Sequence, residues 1–267
     1  MELYNLSEEE ATTRLNILYR YSHWNTYTID VITNRHLYLA TANQMNDKWE
    51  FRISYVHHND LVGSIDDMFP GGNPTFIEGN NVVKEPFQDQ NPILQEADLQ
   101  TINSDRENVG IACFTNCNNN PMMWYHYADC YRGVCLEFTS IFDKNKETVD
   151  GTVGAVSYGD YPYIDIVNQA RSNNSQGIDP MYRYFYKSIT WEQENEIRYI
   201  RPMGCERSRY LPFDDTVLTA IYCGFRMSES DIKLVYDLAM LNNRCVKVYT
   251  SVINENGFGF SFNKYEP

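Results

Sequence analysis

The stretch Trp191–Ile200 constrains the fold most, because three carboxylates alternate with neutral residues and then run into an apolar, aromatic end. In an extended strand, side chains two residues apart share a face, so Glu192, Glu194, Glu196 and Arg198 line one side. Three like charges in a row are costly unless solvent or a positive group separates them, and Arg198 is one such partner. The β-prone end favours a strand. A helix that pairs Glu194 with Arg198 at i,i+4, or a solvated edge strand, stays open.

Size and composition predict one soluble α+β domain covering residues 1–267. With 43% apolar residues, a chain of 267 residues is long enough to bury a substantial core. A net charge of −14 and a pI near 4.7 argue against a broad nucleic-acid surface, while a small anionic ligand held by a few arginines stays open. No apolar run reaches the roughly 20 residues of a membrane span, and the first residues do not resemble a signal peptide. We therefore expect a cytoplasmic protein that does not contact membranes.

Hydrophobic periodicity predicts helices and strands along most of the chain. Helices are predicted within residues 7–18, 24–34, 121–129, 179–189 and 228–242, and strands at 17–21, 36–40, 109–115, 132–138, 154–158, 191–200, 217–224 and 245–249, with a closing hairpin from 252–253 and 258–262. Periodicity fades between about 60 and 108, where glycine and proline punctuate the chain. This segment predicts a loop-rich insertion that serves as a lid or meets a partner protein.

The seven cysteines form an odd number in a chain far larger than a disulfide-stapled scaffold, so we expect them to be reduced. Four of them lie close enough together in the sequence to suggest a metal site. Three residues separate Cys113 from Cys117, and four separate Cys130 from Cys135, whereas a zinc knuckle has two. The spacing therefore predicts no metal.

Three places carry candidate ligand contacts. Arg20 lies between two tyrosines of a predicted strand, where it either points outward or binds a phosphate. The turn containing Asn46 and Asp47 either caps a helix or contacts a ligand. Trp124 and Tyr127, on the helix that begins at a proline, form either ordinary core or a wall on which a planar heterocycle stacks.

In order and spacing, four pieces of the chain resemble an uncharacterised bacterial family, domain of unknown function 2971, from about residue 17 to 250. One departure is visible: Lys48 follows Asn46 and Asp47, where the family usually has proline, which concerns only the shape of that turn. The pieces are Tyr19-Arg20-Tyr21; Leu37-Tyr38-Leu39 with Asn46, Asp47 and Glu50; Cys113-Phe114-Thr115 with Met123, Trp124, Tyr127, Ala128, Gly133 and Val134; and Lys187, Trp191, Glu194, Glu196 and Arg198.

The order of Arg20, then Trp124 or Tyr127, then Glu194-Asn195-Glu196 also resembles the ADP-ribosyltransferases. That resemblance implies a split mixed and antiparallel β-sheet core flanked by helices, and NAD as the substrate. It implies that Glu196 stabilises the oxocarbenium-like ribose and Glu194 positions the acceptor. Arg20 would hold the ribose or pyrophosphate, and the two aromatic residues would stack on nicotinamide. The remaining candidate NAD contacts are Tyr21, Asn46, Asp47 and Arg198.

The expected function is therefore transfer of ADP-ribose to a protein or nucleic acid, or hydrolysis of NAD, in a bacterial toxin or anti-phage effector. A non-enzymatic nucleotide sensor or protein-interaction module is the alternative. A third possibility is a metal-dependent nuclease that uses Asp47, Glu50, Glu194 and Glu196 as oxygen ligands. The sequence ranks it last, because no basic groove accompanies these acids.

Overall fold

A computed structural model of the chain describes residues 2–47, 51, 54–56, 100, 103–142, 150–159, 163–165, 181–203, 208–242, 245–255, 257 and 259–267. The chain divides into two compact units. The first unit comprises residues 1–41, 109–157 and 190–267, and the second comprises 42–108 and 158–189. Helices combine with a large mixed sheet, so the predicted α+β class is confirmed.

The first unit is built on a nine-stranded sheet. Its strands are β1 (Glu2–Tyr4), β2 (Ile17–Ser22), β5 (Val109–Thr115), β6 (Val134–Thr139), β7 (Thr152–Ala155), β11 (Glu196–Pro202), β13 (Leu218–Cys223), β14 (Lys247–Ile253) and β15 (Phe260–Lys264). Their order across the sheet is β1-β7-β11-β5-β2-β6-β13-β14-β15. The pairs β1–β7 and β13–β14 are parallel, and every other neighbouring pair is antiparallel. The short strands β3 (His36–Tyr38) and β12 (Tyr210–Pro212) pair separately.

The large sheet is split between β2 and β5. Tyr19 and Thr115 are the one register pair that joins these two strands within the described chain. By contrast, β5 pairs with β11 from Val109 to Thr115, and β2 pairs with β6 from Ile17 to Ser22. The sheet therefore consists of a four-stranded and a five-stranded half that meet at one point.

Three helices cover one face of this sheet. They are α1 (Glu8–Arg14), with a capping box formed by Ser7 and Glu10, α2 (Thr26–Asn34), capped by Asn25, and α4 (Glu229–Asn242). Capping side chains satisfy backbone N–H groups that have no partner inside the helix. The helices bury an apolar core against the strands, including Leu18, Leu136, Phe138, Ile197, Tyr199, Ile32, Val235 and Ala239.

The opposite face is covered by α3 (Pro121–Tyr127), which packs an aromatic cluster on the sheet. Trp124 lies at its centre with no exposed surface. Its neighbours come from several strands and include Tyr21, Cys135, Ala220 and Tyr222, with Phe260 and Phe262 at the edge. A two-turn helix is too short to be stable alone, so this burial is what holds α3 in place.

The second unit contains two small sheets, in which β4 (Ser54–Val56) pairs with β9 (Tyr163–Asp165), and β8 (Ser157–Gly159) pairs with β10 (Tyr186–Ser188). The predicted helix 179–189 is wrong, because a 3₁₀ turn at Tyr182–Phe185 leads directly into β10. Most of the predicted insertion at 60–108 lies outside the described residues, and 103–108 are helical. No helix in the described part of the chain is long and apolar enough to cross a membrane.

The strand predicted through the acidic stretch is correct only in its second half. A 3₁₀ helix spans Ile189–Glu194, and β11 begins at Glu196. Asn195 lies between them with φ of 44°, in the left-handed region. Glu192 is exposed and Glu194 is buried, so the three acids do not form a row on one strand.

Candidate functional site

The buried pair Glu196–Arg198 opens β11. Residues two apart on a strand share a face, and the guanidinium therefore lies beside the carboxylate. Arg198 donates from Nε to Oε1 of Glu196 at 2.7 Å and from Nη2 to Oε2 at 3.0 Å. Arg198 has no exposed surface, and Glu196 is 3% exposed. Both carboxylate oxygens are engaged, so the site contains a bidentate ion pair sheltered from water.

Asn195, between the 3₁₀ helix and β11, lies next to a second buried carboxylate, that of Glu194. The Asn195 N–H donates to the carbonyl of Glu192 at 3.0 Å. The side-chain Oδ1 of Asn195 accepts from Nη2 of Arg14 at 3.1 Å. Asparagine tolerates positive φ better than most residues. Glu194 and Glu196 are both buried, on either side of an exposed Asn195.

Tyr127, the last residue of α3, donates its hydroxyl to Oε1 of Glu194. This contact brings together two of the residues that the sequence selected as functional. The helix is anchored at its other end by Asn120, whose Oδ1 accepts from the N–H of Met122 at 2.9 Å. Nδ2 of Asn120 donates to the carbonyl of Gln193 at 2.7 Å, so α3 is tied to the turn that carries Glu194.

Trp124 and Tyr21 pack against each other in the aromatic cluster between α3 and the sheet. Their rings are 5.3 Å apart at 86°, an edge-to-face contact. Trp124 donates from Nε1 to the carbonyl of Asn118 at 2.8 Å, and Tyr21 donates to the carbonyl of Cys117 at 2.9 Å. Burial raises the pKa of Tyr21 well above its ordinary value. Because Trp124 is fully enclosed, it cannot stack on a ligand as the sequence predicted, and that role remains open only for Tyr127.

Arg20 is separated from the other candidates. Tyr19 pairs with Thr115 and Thr115 with Glu196, so these three share a face, and Arg20 points to the other side of β2. It lies where β2 and β5 stop pairing. Its Nη1 is buried without a hydrogen-bond partner in the described structure. Burial lowers the pKa of Arg20, partly offset by the thiol of Cys113 on β5. The structure thus places a guanidinium with an unsatisfied nitrogen at the split.

Asn46 and Asp47 belong to the second unit, where they follow a 3₁₀ turn at Ala42–Gln44. Asp47 is buried and Asn46 is exposed. The candidate site in the first unit therefore consists of Tyr127, Glu194, Glu196 and Arg198.

A second carboxylate centre on this face was not predicted. Glu137 accepts from the hydroxyls of Tyr222 and Thr219, each at 2.7 Å. Burial, together with Glu137, raises the pKa of Tyr19 and of Tyr222. The only sequence signal for Glu137 is that it is the one acidic residue inside the apolar run 134–138. Asn120 was missed as well, although an asparagine directly before a proline at the start of a helix is a capping signal.

Among the described residues, no group of three or more His, Cys, Asp or Glu side chains is arranged to hold a metal. Cys113, Cys117, Cys130 and Cys135 form no disulfide. Burial raises the pKa of Cys135, which leaves it a neutral core thiol rather than a ligand.

Comparison with known proteins gives one match. No curated protein and no solved structure matches the chain. The matching family model covers a shorter stretch than the sequence pieces, which ran from about residue 17 to 250, and it includes Trp124, Tyr127, Glu194 and Arg198. Over residues 123–199 the chain matches the family described as protein of unknown function (DUF2971), which confirms the family resemblance.

Proposed function

We propose that the first unit cleaves the bond between nicotinamide and ribose in NAD, transferring ADP-ribose to a macromolecule or to water, as an ADP-ribosyltransferase-like enzyme. The hydrogen bond from Tyr127 to the buried Glu194, two residues before the Glu196–Arg198 pair in the chain, is the observation that carries the proposal. It supplies a held carboxylate next to an aromatic ring, at the end of a short helix. The split between β2 and β5 is consistent with the sheet that the resemblance implies.

Cleavage of the bond between nicotinamide and ribose needs a carboxylate near the ribose. Departure of nicotinamide leaves positive charge on the ribose, and a fixed carboxylate stabilises that charge. Both oxygens of Glu196 are bound by Arg198, so we assign the ribose-facing role to Glu194 and not to Glu196 as the sequence suggested. Glu196 and Arg198 then fix the start of β11, which immediately follows Asn195.

Arg20 stays outside this assignment, although the resemblance implied that it holds a phosphate, because it points to the other side of β2 from the face that carries Glu196. The setting also belongs to the proposal: a cytoplasmic enzyme, acting as a toxin or anti-phage effector, since depletion of NAD or modification of a macromolecule harms the cell in which it occurs.

Nicotinamide release from NAD tests the proposal. The wild-type chain should release nicotinamide, and Glu194→Gln should lower the rate by roughly 100-fold or more, because one preorganised electrostatic contact to a transition state is worth about that factor. Glu192→Gln is the matched control, since it makes the same change at an exposed position of the same 3₁₀ turn. Equal loss in both variants, or no release by the wild type, would contradict the proposal. Tight NAD binding without release would instead support the sensor alternative.

A further inference from the structure

Asn120 makes hydrogen bonds with three different elements. Its Oδ1 caps α3 through the N–H of Met122, and its Nδ2 donates to the carbonyl of Gln193. Its backbone N–H donates to the hydroxyl of Tyr21 on β2 at 3.3 Å. One side chain therefore joins the start of α3 to the 3₁₀ turn, while its backbone joins the same point to the sheet.

The far end of α3 is tied to the same turn. Tyr127 lies seven residues after Asn120, about 10 Å along a helix. It contacts Glu194, the residue after Gln193. The helix is thus fastened at both ends to two consecutive residues, and movement at either end would carry Tyr127 away from Glu194.

We propose that Asn120 is a positioning residue that fixes α3 against the Ile189–Glu194 turn, so that Tyr127 holds the carboxylate of Glu194 in one place. Its effect on catalysis rests on the proposed function, whereas its effect on the Tyr127–Glu194 contact does not. Asn120 acts through Gln193 and α3, and it does not touch the reacting atoms.

The two side-chain bonds of Asn120 can be separated by one substitution. Asn120→Asp keeps an oxygen that caps α3, because aspartate is as good an N-cap as asparagine. It removes the donor to Gln193 and sets a carboxylate oxygen against a carbonyl oxygen. Asn119→Asp is the matched control: it adds the same charge next door at an exposed residue, and it keeps the oxygen that accepts from the thiol of Cys117.

The first readout does not involve NAD. Amide hydrogen exchange at Asn195, whose N–H closes the 3₁₀ turn, should speed up roughly tenfold in Asn120→Asp and stay unchanged in Asn119→Asp. The shift in urea midpoint caused by Tyr127→Phe should also be smaller in Asn120→Asp than in the wild type, because contacting groups in one network are not additive. Unchanged exchange together with additive midpoint shifts would overturn the proposal.

The second readout is NAD cleavage. Asn120→Asp should lower kcat by roughly 10- to 100-fold with little change in KM, the range expected when a supporting contact is lost. Adding Tyr127→Phe to Asn120→Asp should lower kcat little further. If Asn120→Asp caused a separate structural defect, the two reductions in kcat would instead multiply. If the wild type does not cleave NAD, the proposed function fails, and exchange and stability still decide the role of Asn120.

Discussion

At the scale of single residues, the two arginines of the large sheet differ in their partners. Arg198 is fully buried and binds both oxygens of Glu196. Arg20 donates no hydrogen bond from Nη1, and burial lowers its pKa. A partly buried guanidinium with an unsatisfied nitrogen lowers the stability of the folded state.

Arg20→Met tests this cost. Removing a cation with an unsatisfied nitrogen should leave the urea midpoint unchanged or raise it. Because Arg20 points away from the face that carries Glu196, the KM for NAD should stay unchanged. Arg226→Met, at an exposed position, should change neither quantity. A lower midpoint for Arg20→Met would make Arg20 a structural residue, and a higher KM would place it at the substrate.

Residue roles followed from the sequence only where pattern and chemistry agree. The sequence correctly placed Glu196 and Arg198 on one face, because that needs only the two-residue period of a strand. It could not reveal that Asn195 adopts positive φ, since the pattern of polar residues does not encode one backbone angle. The enclosure of Trp124 depends on Phe260 and Phe262, which are more than 130 residues away in the chain.

At the scale of elements, α3 ends in an unusual left-handed turn. Asp129, Cys130 and Tyr131 have φ values of 46°, 50° and 68°. Each left-handed residue costs about 1–2 kcal/mol. The turn is held by the carbonyl of Tyr131, which accepts from the N–H of Arg226 at 3.1 Å. This turn lies inside the segment 123–199 that matches the family model.

Gly224 allows the chain to approach this turn closely. A Cβ at position 224 would lie 2.1 Å from the carbonyl oxygen of Tyr131, which cannot move away without losing its bond to Arg226. Gly224→Ala should therefore lower the free energy of unfolding by about 1–3 kcal/mol, the usual cost of overpacking. Gly257→Ala, whose Cβ meets nothing within 4 Å, is the control. Equal urea midpoints for the two variants would show that the turn accommodates the added methyl group without loss of stability.

Element prediction succeeded where burial is uniform. The strand Val109–Thr115 has the predicted bounds, because a strand buried on both faces needs an uninterrupted apolar run. The last helix also agrees closely, since a capped 14-residue helix has a clear period. Residues 179–189 misled the prediction, because aromatic residues at helical spacing are equally compatible with a 3₁₀ turn followed by a short strand.

At the scale of the whole molecule, buried tyrosines make stability depend on alkaline pH. Burial raises the pKa of Tyr21, and burial with Glu137 raises those of Tyr19 and Tyr222, above the ordinary value near 10. A raised folded pKa means that the folded state holds the proton more tightly. This contribution is complete below about pH 10 and is lost as pH rises further.

Tyr21→Phe removes one of these groups. The urea midpoint of the wild type should fall between about pH 10 and 11, and the fall should be shallower in Tyr21→Phe. Tyr27→Phe, at a position that is 76% exposed, should keep the wild-type slope. If all three proteins lose stability equally, the buried tyrosines do not govern the alkaline transition.

The central claim is that Glu194, held by Tyr127, serves the cleavage of NAD. The most direct measurement follows bound NAD and free nicotinamide in one sample of Glu194→Gln at saturating NAD. The account predicts that this variant binds NAD as the wild type does and releases almost no nicotinamide, while Glu192→Gln releases it at the wild-type rate. Release by Glu194→Gln at the wild-type rate would contradict the account.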